Sequence, residues 1–352
     1  MESYRRIKQA LMLNAIAVIL NISPHYAVGA IVVCPTLPSC YTTSSELSLT
    51  ANATNVPIND CSTQFVNYDY CDFSCSGTLT ITITARQIIT SCSISPLRLG
   101  ISGKINGNTL TFTLSSPQFL IVHINNLRDL VIAANALEAN VPPSLGDGIF
   151  NITDTAYNAD ATGTAMATKA IQSAIDDASA YKGGIVYVPA GVYKCGNLAL
   201  KSDMSLYLAG GSVIRGTGNA EDYTINYYKH SLGMKGTWFI HTTAGASNIK
   251  IYGRGTIDGN GDYMRNRNHF LNNLVVPLAC SNFTITGVTL RDSGLWGLTP
   301  IRSSNIIIQN TKQFNNNDLD YEDDAMDIEE CQHVTVNNSI AVSEDDNYSV
   351  KT

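Results

Sequence analysis

The sequence predicts an all-β protein in two parts, an antiparallel sandwich-like region followed by a solenoid of short parallel strands, with one helix at the junction. Three observations carry this. Between Cys34 and Val141, apolar and hydroxyl residues alternate with period 2, most clearly in Thr78 to Ala85 (TLTITITA), the pattern of a half-buried strand. Beyond residue 184, short apolar runs recur between turn residues at variable intervals, as stacked coils with loop insertions would require. Only Thr164 to Ala180 has convincing helical spacing, with Ala167, Ala170, Ile171, Ala174, Ile175 and Ala178 on one face.

Each element follows in order. Arg5, Arg6 and Lys8 precede an apolar run from Ala10 to Leu20 and a small-residue site at Val28-Gly29-Ala30, which reads as an export signal over residues 1–30. That run is too short to span a bilayer. A secreted protein follows, with no membrane association in its mature form. Six of the nine cysteines (Cys34, Cys40, Cys61, Cys71, Cys75, Cys92) fall between residues 34 and 92, so residues 31–141 are expected to form a disulfide-stapled sandwich of undetermined pairing. Its strands are Thr78–Ala85, a weaker Leu99–Lys104, Thr109–Leu114, Phe119–Ile124 and Leu130–Ala134, with Asn106-Gly107-Asn108 as a hairpin signal. A structural cap or spacer is the favoured role. Residues 142–149, rich in Pro and Gly, form a linker.

From residue 150 the helix comes first, stopped by Gly183-Gly184. Strands then recur at Ile185–Val188, Leu198–Leu200, Leu206–Leu208, Ser247–Ile251, Ser281–Ile285, Ser304–Ile308 and His333–Val336. Asn248, Asn282 and Asn305 occupy equivalent places 34 and 23 residues apart, where Asn tolerates a coil corner. The helix would cover the open end of the first coil, whose strand edges are otherwise unpaired.

Composition narrows the function. Charged residues are 14% of the chain and the net charge is −7, which argues against disorder, coiled coil and nucleic-acid binding. Phosphate-loop, dinucleotide and nucleophile-elbow signatures are absent, and the histidines lack partners at metal-ligand spacing. No cofactor or metal is expected. The strongest chemical signal is acidic: eleven of 29 Asp and Glu residues lie between 318 and 346, with no Lys or Arg among them. Clustered carboxylates raise at least one pKa, which makes an acid and a base from identical side chains. The alternatives for this stretch are a solvated acidic face or a Ca²⁺ site.

Several ordered motifs carry a family resemblance: Tyr157-Asn-Ala-Asp-Ala-Thr-Gly163, Gly184-Ile-Val-Tyr-Val-Pro-Ala-Gly-Val-Tyr193, Gly253-Arg-Gly-Thr-Ile-Asp-Gly259 and Thr289-Leu-Arg-Asp-Ser-Gly-Leu-Trp296. Residues 148–352 resemble the polygalacturonase family of secreted glycoside hydrolases. The resemblance implies a right-handed parallel β-helix over 150–352 and cleavage of a polysaccharide, with polygalacturonan or pectin first. The family's Asn-Thr-Asp-Gly-x-Asp segment corresponds to Glu322-Asp-Asp-Ala-Met-Asp327, and its Gly-Asp-Asp segment to Glu344-Asp345-Asp346. Asp324 and Asp345 are 21 residues apart, one coil. Carried over residue by residue, Asp345 is the general acid, and Asp324 and Asp346 hold the attacking water of an inverting hydrolysis. A plain strand would point Asp345 and Asp346 to opposite faces, so a bend is required. Tyr263, Arg265, Arg267 and Lys351 are candidate substrate-binding residues, and Trp296 is either a sugar platform or packing.

The family's downstream Gly-His-Gly and Arg-Ile-Lys motifs do not occur after Asp346, and the chain reads as the first part of a longer solenoid. An α-glucan hydrolase of the dextranase type and a non-catalytic wall-binding β-helix are the other expectations. The expected partner is a polysaccharide, and the expected state is a monomer.

Overall fold

The computed structural model describes residues 29–34, 41–61, 68–315 and 322–352. The export signal read over residues 1–30 therefore lies almost wholly outside the described residues.

Residues 31–136 form two sheets packed face to face. One contains Ile31–Val33, Asn59–Asp60, Tyr68–Cys75, Asp129–Ala136, Phe119–Ile124 and Cys92–Ser95; the other contains Thr54–Val56, Leu47–Ala51, Leu79–Ala85, Thr109–Leu114 and Lys104–Asn106. Alternation explains the core: Leu79, Ile81 and Ile83 point inward and are fully buried while the threonines between them are exposed or half-buried. Each such apolar side chain stabilises the fold by roughly 1.5–3 kcal/mol. Pairing is antiparallel except between Tyr68–Cys75 and Asp129–Ala136, which run parallel over eight residues. The strand expected at Leu99–Lys104 begins only at Lys104, because Leu97–Leu99 is a 3-10 turn closed by Gly100 in the left-handed region.

The cysteine staple is corrected. Among the described residues, Cys34, Cys61, Cys71, Cys75, Cys92, Cys195, Cys280 and Cys331 are free thiols; Cys40 lies outside them. Cys71 and Cys75 share one strand, four residues or about 13 Å apart, beyond disulfide reach. Both are buried in the sandwich core beside Phe73 and Ile132, where they act as small apolar side chains.

From Ile149 onward the chain winds as a parallel β-helix. One seven-stranded sheet stacks Ile149–Asn151, Gly184–Val188, Met204–Leu208, Ser247–Gly253, Ser281–Thr286, Ser304–Gln309 and Gln332–Asn337. A second stacks Thr162–Met166, Gly191–Cys195, Ser212–Gly216, Thr256–Asp258, Thr289–Arg291, Lys312–Phe314 and Ile340–Val342. A third face is shorter, with Leu198–Leu200, Met234–Thr242 and Phe270–Val276 in parallel, an antiparallel insertion at Tyr227–Lys229, and Asp327–Glu329 paired with Ser349–Lys351. The asparagine corners form a ladder. Asn248, Asn282 and Asn305 have φ of 60°, 54° and 57°, and their side-chain amides bond in sequence at 3.0 and 3.2 Å.

Helix α1 spans Thr168–Tyr181, four residues later than expected at its start, because Thr162–Met166 pairs as a strand instead. Ile171, Ala174, Ile175 and Ala178 bury its apolar face on the first coils. A Cβ at Gly184 would lie 2.6 Å from the Ala178 Cα, so only glycine lets helix and sheet approach this closely.

The sandwich docks on the second sheet of the β-helix. Lys312, fully buried, reaches Asp72 at 2.9 Å and the Gly287 carbonyl at 2.5 Å. Arg291 donates to the Tyr70 hydroxyl at 2.9 Å, and the Tyr41 hydroxyl donates to Asp258 at 2.6 Å. Phe314 stacks on Tyr70 with ring centroids 4.4 Å apart. Buried charges are tolerated here because each has a partner of opposite sign or a carbonyl to meet it.

Candidate active site

Two stretches meet on the third face. Asp327 lies opposite Ser349, and Glu329 opposite Lys351, in a parallel pair. Just before this pair, residues 343–347 bend: the Asn347 side chain accepts from the Ser343 N–H at 3.1 Å and its hydroxyl at 3.2 Å. This turn takes Glu344, Asp345 and Asp346 out of strand geometry. Asp323 ties the turn down, its buried carboxylate accepting the N–H groups of Glu344 at 3.1 Å and Asp345 at 3.0 Å.

The Asp324 backbone is held from two sides. Its carbonyl accepts from the Gly297 N–H at 2.8 Å and from the Asn315 side-chain amide at 3.2 Å, and the same amide reaches the Asp323 carbonyl at 2.6 Å. The Asp324 side chain is buried, with Oδ2 accepting from Lys351 Nζ at 2.7 Å. Its Oδ1 has no hydrogen-bond partner among the described residues. Lys351 Nζ is also 2.6 Å from Asp327 Oδ1. Burial first, and then the neighbouring Asp324, raise the Asp327 carboxyl to about 8 against the opposing pull of Lys351. Asp345 and Asp346 are exposed, and Asp345 is raised above its ordinary value by partial burial, then by the charges of Asp324 and Asp346.

Cations compensate this cluster from other coils. Lys351 lies 3.8 Å and Lys229 4.5 Å from the centroid of the Trp296 ring, within cation–π range. Lys229, on the antiparallel insertion, pairs with Glu322 at 2.5 Å. Burial raises the Asp323 carboxyl above its ordinary value, against the pull of the backbone N–H groups it accepts and, more weakly, of the Arg265 charge. The described part of the acidic stretch, 322–346, is uncompensated along the sequence but not in space. Among the described residues no group of three or more His, Cys, Asp or Glu is arranged to hold a metal ion. The ammonium of Lys351 lies between Asp324 and Asp327.

The profile of glycosyl hydrolases family 28 matches residues 180–352. This segment of the chain belongs to that family. The exo-poly-α-D-galacturonosidase of Dickeya chrysanthemi is 40% identical over 122 residues, covering 32% of this chain and 20% of that protein. A probable polygalacturonase of Vitis vinifera is 29% identical over 163 residues, covering 42% of this chain and 33% of its own length. The chain thus spans between a fifth and a third of these curated relatives. The family 28 exopolygalacturonase of Yersinia enterocolitica superposes with a TM-score of 0.51 at 20% identity, over 78% of this chain and 63% of that one, a likeness of fold.

Within the family 28 segment, the structure brings together Asp324, Asp345, Asp346 and Lys351. The other sequence candidates are placed elsewhere. Arg265 is 2% exposed on helix α2 (Gly261–Asn268), behind Asp323 rather than open to a ligand. Arg267 and Tyr263 sit on the exposed side of that helix, 4.9 Å from guanidinium to ring centroid. Asp323, Asp327, Lys229 and Asn315 are functional candidates that sequence reasoning did not single out. Asp327 was visible three residues after Asp324, in a segment already aligned with the family. Lys229 had no sequence signal, since its partner Glu322 lies 93 residues later.

Proposed function

We propose that the protein is a secreted glycoside hydrolase that cleaves a polygalacturonan-type polysaccharide with inversion. The observation that carries this reading is the stacking of two acidic turns one coil apart, with Asp345 raised by partial burial and then by its acidic neighbours, and Asp324 held by Lys351. In this reading Asp345 donates its proton to the glycosidic oxygen as the C–O bond breaks. Asp324 and Asp346 orient a water and take its proton as its oxygen attacks the anomeric carbon from the opposite face. Lys351 sits against both Asp324 and Asp327 and counters the negative charge of the pair.

Substrate charge favours a uronan over a neutral glucan. Lys229 and Lys351 flank Trp296, and Arg267 stands exposed on α2, so cations border the carboxylates where an acidic sugar would lie. Incubating the full chain with polygalacturonate and with dextran, with reducing ends as readout and proton NMR of the first-formed anomer, tests this. Release from polygalacturonate alone, with inverted anomer, is expected. Release from dextran would transfer the assignment to an α-glucan hydrolase. Tight retention on polygalacturonate without product would leave a binding protein.

A further inference from the structure

The sandwich touches the candidate catalytic turn through one short chain of contacts. In the strand Lys312–Phe314, the Phe314 side chain points away from the solenoid interior. It is nonetheless fully buried, because its apolar shelter is supplied by Tyr68, Tyr70, Val131 and Cys61 of the sandwich. The Tyr68 hydroxyl donates to the main-chain carbonyl of the next residue, Asn315, at 3.2 Å. Asn315 is itself buried, and its side-chain amide holds the carbonyls of Asp323 and Asp324. Its Oδ1 accepts the Ser293 N–H at 3.4 Å, and its own N–H donates to Val342. Asn315 is therefore fixed on one side by the sandwich and on the other carries the backbone of the carboxylate that meets Lys351.

We propose that the N-terminal sandwich is a positioning device for the catalytic turn, with Tyr68, Phe314 and Asn315 as the positioning residues that transmit its docking to Asp323 and Asp324. A sugar-binding module or a passive spacer would have no need to bury its tyrosines against the strand that leads into this turn. The physical logic is preorganisation: a carboxylate misplaced by about 1 Å costs on the order of a hundredfold in rate. Docking a second domain on the outward Phe314 fixes that geometry without occupying the face where a polysaccharide would bind. The catalytic part of this inference rests on the hydrolase reading above; the structural part does not.

The test separates the two. Trp238→Phe leaves Trp296 as the sole tryptophan, with the Lys351 ammonium against its ring, so its emission and acrylamide quenching report the Asp324–Asp327–Lys351 group without any substrate. In that background Tyr68→Phe removes one hydroxyl and keeps the ring, and Asn315→Ala removes the amide. Both are followed from about pH 4 to about pH 9, alongside kcat and KM on polygalacturonate and the thermal midpoint. Tyr68→Phe is expected to leave the thermal midpoint close to that of the parent, to raise quenching of Trp296 and to move its pH midpoint down toward that of a solvated carboxylate. It should lower kcat about tenfold with KM unchanged; Asn315→Ala should do the same more strongly. If the parent releases no reducing ends, the hydrolase reading falls, and the Trp296 response alone decides the structural claim. Unchanged quenching, pH midpoint and kcat in Tyr68→Phe would overturn the proposal, as would loss of kcat matched by an equal loss of thermal stability. Should Asn315→Ala fail to fold, Tyr68→Phe still decides.

Discussion

Lys351→Met is the most informative single substitution at the site. The methionine keeps the apolar stem of the lysine and removes the ammonium, together with its cation–π contact to Trp296. Lys351 Nζ lies 2.7 Å from Asp324 and 2.6 Å from Asp327. Unit charges about 4 Å apart interact by about 4 kcal/mol at an effective dielectric of about 20. The lysine side chain is 31% exposed, and halving for solvent screening leaves about 2 kcal/mol, or about 1.5 pKa units, for ionisation of the pair as a unit. Loss of the cation disfavours the ionised carboxylate, so the shift is upward. The assay is the pH dependence of kcat/KM for reducing-end release from polygalacturonate, whose acid limb reports ionisation of the pair as a unit. The limb is expected to move up by about 1–2 units, while Lys351→Arg keeps it near the wild-type position. A limb that stays in place, or moves down, would refute the role given to Lys351.

Three further outcomes follow from the same geometry. Asp327 is raised to about 8 and Asp292 to about 7, both by burial first. The folded state thus binds protons the unfolded state has released, so their contribution to stability is complete below about pH 4 and is lost as pH rises through about 7 to 8. Urea midpoints should fall over that window, and Asp327→Asn should flatten the fall; a rise with pH contradicts the assignment. At Gly297 a Cβ would come 2.5 Å from the Ala325 carbonyl oxygen, so Gly297→Ala should cost about 1–3 kcal/mol in chemical denaturation and lower kcat by displacing the adjacent Asp324. Arg267→Ala, at the exposed pair with Tyr263, should raise KM for polygalacturonate at constant kcat, and an unchanged KM would remove that pair from the groove.

The repeating fold was legible because its signals are local. Ser247-Asn-Ile, Ser281-Asn-Phe and Ser304-Asn-Ile each combine a corner residue tolerant of positive φ with an inward apolar side chain, and the stacking of coils follows from repetition. Thr78 to Ala85 likewise announced its buried face. What escaped the sequence depends on contacts that span many residues. The parallel pairing of Tyr68–Cys75 with Asp129–Ala136 needs a crossover no local pattern encodes, and Lys229 meets Glu322 only because the antiparallel insertion folds over a later coil. The bend at Asp345 was required by the chemistry assigned to it, and Asn347 supplies it locally. Arg265 looked like a ligand-binding residue because its neighbours Tyr263 and Arg267 are polar and exposed, but helix α2 turns it inward toward Asp323.

The central claim is that Asp345 is the general acid of a polysaccharide hydrolase. Asp345→Asn keeps the shape of the turn, whose hydrogen bond to Asp323 uses the backbone N–H and not the side chain, and removes the proton donor. Reducing-end release from polygalacturonate, measured for wild type and Asp345→Asn at matched fold and concentration, should fall by at least about a hundredfold. Release by the variant at the wild-type rate would contradict the account.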